Sequence, residues 1–187
     1  MKNIFRLRKD NYTQNISRKA KSLVETMING QGLGDVKDQR YGLFPMSFNG
    51  CEVISVYNAL HHVGIPQPIW ELASYMERYR VLMGLCGCNV YCLGRVLRKF
   101  GADCERVKDP EKNGGDAFIV SYWTGKLFRS SIHSVFCQRK ENGILIYNIY
   151  NNCPTVRLIS GLGDLMGKRC LITAYAVKGV KAAKDSK

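Results

Sequence analysis

No run of about eighteen apolar residues occurs in this 187-residue chain, so no membrane-spanning helix is expected. The N-terminus, Met1-Lys2-Asn3-Ile4-Phe5-Arg6-Leu7-Arg8-Lys9-Asp10, starts basic but has no apolar core of the kind a secretory signal needs. The expected compartment is the cytoplasm, where the eight cysteines read as reduced thiols rather than disulfide partners. Acidic residues are scarce, 15 Asp+Glu against 28 Lys+Arg, for a net charge of +13. Such an excess can mark a nucleic-acid or anionic-surface partner. Zinc-finger spacing, an RNA-binding aromatic motif and a helix-turn-helix signature are all missing, however. Part of the charge also lies at the chain ends, from Lys2 to Lys21 and from Lys178 to Lys187. Solvated ends account for it, and nucleic acid is not the expected partner. Internal repeats and low-complexity segments are absent too. At 45% hydrophobic residues the chain reads as one domain, 1–187, with basic, mobile ends at about 1–16 and 179–187.

What is present falls into two halves. The spacing predicts a helix from Ile16 to Asn29, capped by Ser17, with Leu23, Val24, Met27 and Ile28 inward. A loop then leads to a helix over Cys51–His62. Pro68 opens another helix that reaches about Tyr79. Asn89 caps a further helix, with Val90, Leu93, Val96, Leu97 and Phe100 inward and Gly101 at its end. After a charged loop from Asp103 to Asp116 the content becomes β-branched and aromatic. Strands are expected at Ala117–Trp123, Ile132–Gln138, Ile144–Tyr150 and Leu171–Val177, with Glu141-Asn142-Gly143 as a hairpin turn. Helices followed by an antiparallel sheet make an α+β architecture.

The stretch Asn49-Gly50-Cys51-Glu52 delivers a cysteine to the first turn of a helix whose Val53, Val56, Tyr57 and Leu60 share one face. There the helix dipole and unpaired N–H groups favour a thiolate nucleophile; the alternative is a small buried hydrophobe. A cysteine nucleophile needs a base, and there are three histidines. His61 and His62 lie at the far end of the same helix, roughly 15 Å away at about 1.5 Å per residue. By elimination the base candidate is His133, a polar ring inside an apolar strand; the alternative is an ordinary half-exposed strand histidine. The hairpin brings Asn148 onto the neighbouring strand, where an amide could hold the imidazole; Asn151 and Asn152 compete for that role.

Cysteine at a helix start, histidine on one strand and asparagine on the next is an order that resembles the papain-like cysteine peptidases. The tight hairpin between His133 and Asn148 looks most like their bacterial C39-like branch. The resemblance runs from about Tyr41 to Tyr150 and implies a papain-like fold. It also implies a thiol hydrolase cleaving a peptide or amide bond, with Cys51 as nucleophile, His133 as base and acid, and Asn148 orienting it. The implied partner is a peptide or protein substrate, with no cofactor and no metal. The family's oxyanion glutamine, six residues before the cysteine, is replaced here by Pro45. Asn49, Ser47 or Gln39 are the substitutes, beside the Cys51 N–H. Glu52 also stands where that branch carries glycine. A transglutaminase-like or acyltransferase domain shares the residue order, and a catalytically silent peptide-binding domain is the other reading. Cys86, Cys88, Cys92 and Cys104 cluster as zinc ligands could, but their spacing matches no paired knuckle and reads as core thiols. Trp123 reads as a core tryptophan, with shelter of the His133 region as the alternative.

Overall fold

A computed structural model describes residues 4–18, 26–125 and 131–180. Helix α1 (Ile4–Ser17) comes first, and then β1 (Arg40–Tyr41) pairs with β2 (Phe44–Pro45). The short α2 (Met46–Asn49) runs into α3 (Cys51–His62), followed by α4 (Ile69–Met76) and α5 (Leu93–Lys99). The second half holds β3 (Ala102–Val107), α6 (Pro110–Asn113), β4 (Ala117–Thr124), β5 (Ser131–Lys140), β6 (Gly143–Tyr147), β7 (Arg157–Ile159), α7 (Leu162–Met166) and β8 (Leu171–Val180). The six longer-range strands form one antiparallel sheet in the order β3-β8-β4-β5-β6-β7. The architecture is α+β, as helical patterns followed by strand patterns imply.

α3 is the axis of the fold because it is apolar nearly all round, and such a helix must be covered on every side. Every residue from Cys51 to Leu60 is buried. It packs on β4 and β5 and is flanked by α4 and α5. Burial of side chains such as Tyr57 or Leu60 contributes roughly 1.5–3 kcal/mol each. One of the buried polar residues on this helix is put to use. Asn58 takes a hydrogen bond from the Ile28 N–H and gives one to the Ile28 carbonyl, both at 2.8 Å, and so pins residues 28–32 beside α3. On the other face of the sheet, Phe118, Val120, Val135, Ile144 and Ile146 meet Leu162 and Leu165 of α7. The alternation along β4 and β5 follows the two-residue period of a strand.

Three expectations are corrected. Residues 4–17 are helical rather than irregular. The inward stripe of α1 is Leu7, Asn11 and Asn15, two of them polar, so hydrophobic periodicity cannot reveal it. Each asparagine is satisfied by the neighbouring chain. Asn11 donates to the Gly42 carbonyl and to Glu77, and Asn15 exchanges two hydrogen bonds with the Arg40 backbone. The helix expected over Ile16–Asn29 is not formed at its C-terminal end, where Thr26–Leu33 is non-helical; Leu23 and Val24 lie outside the described residues. The charged segment after Gly101 contains β3, an edge strand that buries Ala102 and Cys104 and turns Asp103 and Glu105 to solvent. The basic tail beyond Val180 lies outside the described residues.

Glu77 ties these parts together. Its carboxylate accepts from Asn11, from the Gly42 N–H and from Arg80 at 2.5 Å, with both charged side chains almost fully buried. Glu77→Ala leaves the Arg80 guanidinium buried without a partner, and losses of this kind run about 3–5 kcal/mol. The expected result is a fall of about that size in urea-unfolding free energy, with α1 becoming protease-sensitive. A loss under about 1 kcal/mol contradicts the network.

Candidate active site

The site forms where the sheet opens. β6 pairs with β5 from Lys140–Gly143 up to Phe136–Tyr147, and then the chain turns away. Asn148 makes that turn with φ +65°, a left-handed conformation that asparagine tolerates better than most residues. Its departure leaves the β5 edge unpaired by β6 at Ile132–Ser134. The Cys51 sulfur sits against that edge, 4.0 Å from the Ile132 carbonyl and within reach of the Ser134 backbone N–H. The first hydrogen bond into α3 runs from Ile54 N–H to the Gly50 carbonyl, so the N–H groups of the opening turn precede the helical ladder.

His133 shares a cavity of about 830 Å³ with Cys51. Its Nε2 lies 2.7 Å from the Asn148 backbone carbonyl. A carbonyl only accepts, so Nε2 carries the proton and the basic lone pair is on Nδ1. The Tyr122 ring stands edge-on to the imidazole, centroids 5.9 Å apart, across the β4–β5 ladder. Among the described residues no hydrogen bond joins Cys51 to His133.

The group that meets His133 Nε2 is therefore the Asn148 main chain, where the sequence suggests its side-chain amide. That amide points the other way. Its Oδ1 accepts from the Gln31 N–H at 2.9 Å and its Nδ2 donates to the Gln31 Oε1 at 3.1 Å, while the Asn148 N–H donates to Asn29. The loop that presents Gln31 lies flat on residues 151–153. A Cβ on Gly32 would come 2.1 Å from the Asn152 side chain, and the Gly32 N–H donates to the Asn151 carbonyl. Asn151 and Asn152 thus buttress the Gln31 loop rather than the histidine.

The oxyanion candidates sort differently from expectation. Both amide hydrogens of Asn49 are taken, by the Tyr41 and Gly84 carbonyls, so this side chain has no N–H for a ligand. It pins the loop over the cavity instead. Gln39 is fully buried with its amide on the Asn15 and Arg18 carbonyls. The carbonyl of Ser47 accepts from Gln31 Nε2, which leaves Gln31 one further N–H at the cavity wall. The Cys51 N–H keeps its place at the helix start. Gln31, twenty residues before Cys51, has no spacing signal; only the folded loop brings it here.

Trp123 is 46% exposed and lines the cavity near His133, which corrects the core assignment. Phe48, Leu85 and Tyr150 are likewise exposed around the rim, with Arg157 and Arg169 at one end. His62 pairs with Gln138 at the far end of α3. Among the described residues no group of three or more His, Cys, Asp or Glu is placed to hold a metal. Cys88 and Cys104 are buried, Cys92 is half-buried and Cys86 is exposed on the cavity wall.

Protons follow burial. The Cys51 thiol is pushed well above its ordinary range by burial and then by the neighbouring Glu52 carboxyl, which outweighs the helix-start effect expected from sequence. Burial lowers His133. At neutral pH the resting pair is a thiol and a neutral imidazole. Glu52 itself is raised to about 7 by burial. The chain matches no protein-family model, no curated protein and no solved structure. Among the described residues no helix is long and apolar enough to cross a membrane.

Proposed function

We propose that this protein is a papain-like thiol hydrolase that cleaves a peptide or amide bond through an acyl-enzyme on Cys51. One observation carries the reading: the Cys51 thiol and the His133 imidazole open into the same cavity, and the Nε2–H of that imidazole is anchored on the Asn148 carbonyl. Nδ1 is then the base. It takes the thiol proton as sulfur adds to the substrate carbonyl, and returns that proton to the leaving amine as the C–N bond breaks. Water, deprotonated by the same Nδ1, hydrolyses the thioester and restores the thiol. The neutral resting pair supports proton transfer concerted with attack, rather than a preformed thiolate. The exposed aromatic rim suits apolar side chains of an extended peptide, and Arg157 and Arg169 suit an acidic group.

The raised thiol also favours a second reading, a catalytically silent peptide-binding domain. A p-nitrophenyl acyl ester separates the two. The expected result is a burst of p-nitrophenol and an acyl adduct that peptide mass spectrometry maps to Cys51. Exposed Cys86 and Cys170 set the background for non-specific labelling. Adducts no more abundant on Cys51 than on those two cysteines defeat the hydrolase reading.

A further inference from the structure

As the Cys51 sulfur adds to a substrate carbonyl, negative charge collects on the carbonyl oxygen, and fixed donors lower the barrier by meeting it. The amides of Asn49 and Gln39 are already committed to backbone carbonyls. Gln31 differs. It is 6% exposed, lines the cavity with Ser47, Cys51 and His133, and keeps one Nε2–H beyond its bond to the Ser47 carbonyl. Ser47 stands four residues before Cys51. Helical spacing carries on across the junction of α2 and α3, where the Gly50 N–H donates to the Met46 carbonyl and the Ile54 N–H to the Gly50 carbonyl, both at 2.9 Å. A carbonyl in such a run faces the N–H four residues on. Gln31 Nε2, 3.2 Å from the Ser47 oxygen, is therefore brought beside the Cys51 N–H.

Two backbone groups decide which way the Gln31 amide faces. The Gln31 N–H only donates, so the Asn148 atom it meets at 2.9 Å is Oδ1, and the other amide atom of Asn148 is the Nδ2 donor. That donor needs an oxygen, which sets Gln31 Oε1 against it at 3.1 Å. The Ser47 carbonyl only accepts, and it takes Nε2. No flip of either amide satisfies this chain. The bond at Oε1 is buried and the bond at Nε2 only partly so, which turns the N–H end toward the opening.

We infer that the free Nε2–H of Gln31 is an oxyanion donor of this site, paired with the Cys51 N–H, and that the Asn148 side chain is the positioning residue that aims it. The inference rests on the hydrolase reading. One asparagine then serves both halves of the chemistry: its carbonyl anchors the His133 base and its amide aims the donor. The thiol proton still travels to His133 Nδ1, and Gln31 gives up none. Asn148→Asp offers only an oxygen to Gln31 Oε1. It is satisfied by turning the Gln31 amide over, which removes the N–H from the Ser47 side and from the cavity.

The test uses the full chain, wild type, Gln31→Ala, Gln31→Met, Asn148→Gly and Asn148→Asp, at neutral pH. The readout is the rate of Cys51 acylation by p-nitrophenyl acetate divided by the rate of its alkylation by iodoacetamide. Alkylation forms no oxyanion, so the ratio cancels general loosening and changed access. Gln31→Ala should lose about 10²–10³ in the ratio. Gln31→Met, of similar length but without an N–H, should lose as much, and it decides if the alanine variant fails to fold. Asn148→Gly should cost no more than about tenfold, the worth of one hydrogen bond, because Ser47 and the Asn58 anchor at Ile28 still hold Gln31. Asn148→Asp should fall with the Gln31 variants, by about 10². A Gln31→Met ratio within a few-fold of wild type overturns the donor role and leaves the hydrolase reading intact. An Asn148→Asp ratio equal to or above that of Asn148→Gly overturns the positioning role. Absence of any Cys51 acyl adduct in wild type overturns the donor and the hydrolase together.

Discussion

Cys51→Ala should abolish ester and peptide turnover, and His133→Ala should cut acylation by about 10²–10⁴, the range over which a positioned base contributes. The two effects should not add, because nucleophile and base act as a unit. The reason for expecting so large a cost from His133 lies in the proton positions. A thiol already ionised at rest would keep much of its reactivity without the histidine. Here burial and the neighbouring Glu52 carboxyl hold Cys51 protonated, so a base must act during attack. The same feature sets the pH profile. His133 is lowered from its ordinary value, so its basic form is already present near neutrality and, on the acid side, activity should fall as pH drops through that lowered value. Stopped-flow release of p-nitrophenol between pH 4 and pH 7, for wild type and both variants, checks this. A His133→Ala variant that acylates at the wild-type rate removes the base from the mechanism.

Legibility in the sequence tracked how local each signal is. Cys51 is readable because a glycine, a cysteine and an apolar three-and-four-residue stripe all sit within one short stretch. His133 is readable by exclusion, since helix geometry alone keeps His61 and His62 from the thiol. The hairpin is readable from Asn142-Gly143, and Lys140 does pair with Gly143. What pattern could not show is polar and long-range. α1 turns asparagines inward, because its partners are backbone groups and a glutamate sixty-six residues away. Gln31 reaches the cavity only because Asn58 and Asn148 hold its loop at both ends. Glu52 looks like an ordinary first-turn acid, favourable at the positive end of a helix. Its burial, and the unpartnered oxygen that follows, depend on Gly87 leaving space from a distant loop. Each of these is a pairing between segments, and a hydrophobic period carries no information about pairings.

The contrast between main chain and side chain at Asn148 has the second large consequence. Asn148→Ala removes the two buried hydrogen bonds to Gln31 and places alanine at φ +65°. An unsatisfied buried group costs about 1–3 kcal/mol, and the left-handed conformation about 1–2 kcal/mol for a residue with a Cβ. A destabilisation of about 3 kcal/mol or more is therefore expected in urea unfolding, with Asn148→Gly milder by about 1 kcal/mol because glycine accepts that φ freely. Asn148→Asp sets a carboxylate oxygen against the Gln31 Oε1 that the amide now donates to. Its folded pKa is therefore expected to rise, and its stability, best below about pH 4, should decline as pH increases. None of the three substitutions removes the carbonyl that holds His133. Folded Asn148→Gly should still show the His133 proton on Nε2 by nitrogen-15 NMR, and should acylate within about tenfold of wild type. If the amide side chain were the orienting group, the order would reverse. Asn148→Asp, which retains an acceptor, would stay active, and Asn148→Gly would lose the Nε2–H tautomer along with its acylation. The NMR tautomer and the rate must move together in either case, so the pair of variants assigns the third member of the site to main chain or side chain without reference to any substrate.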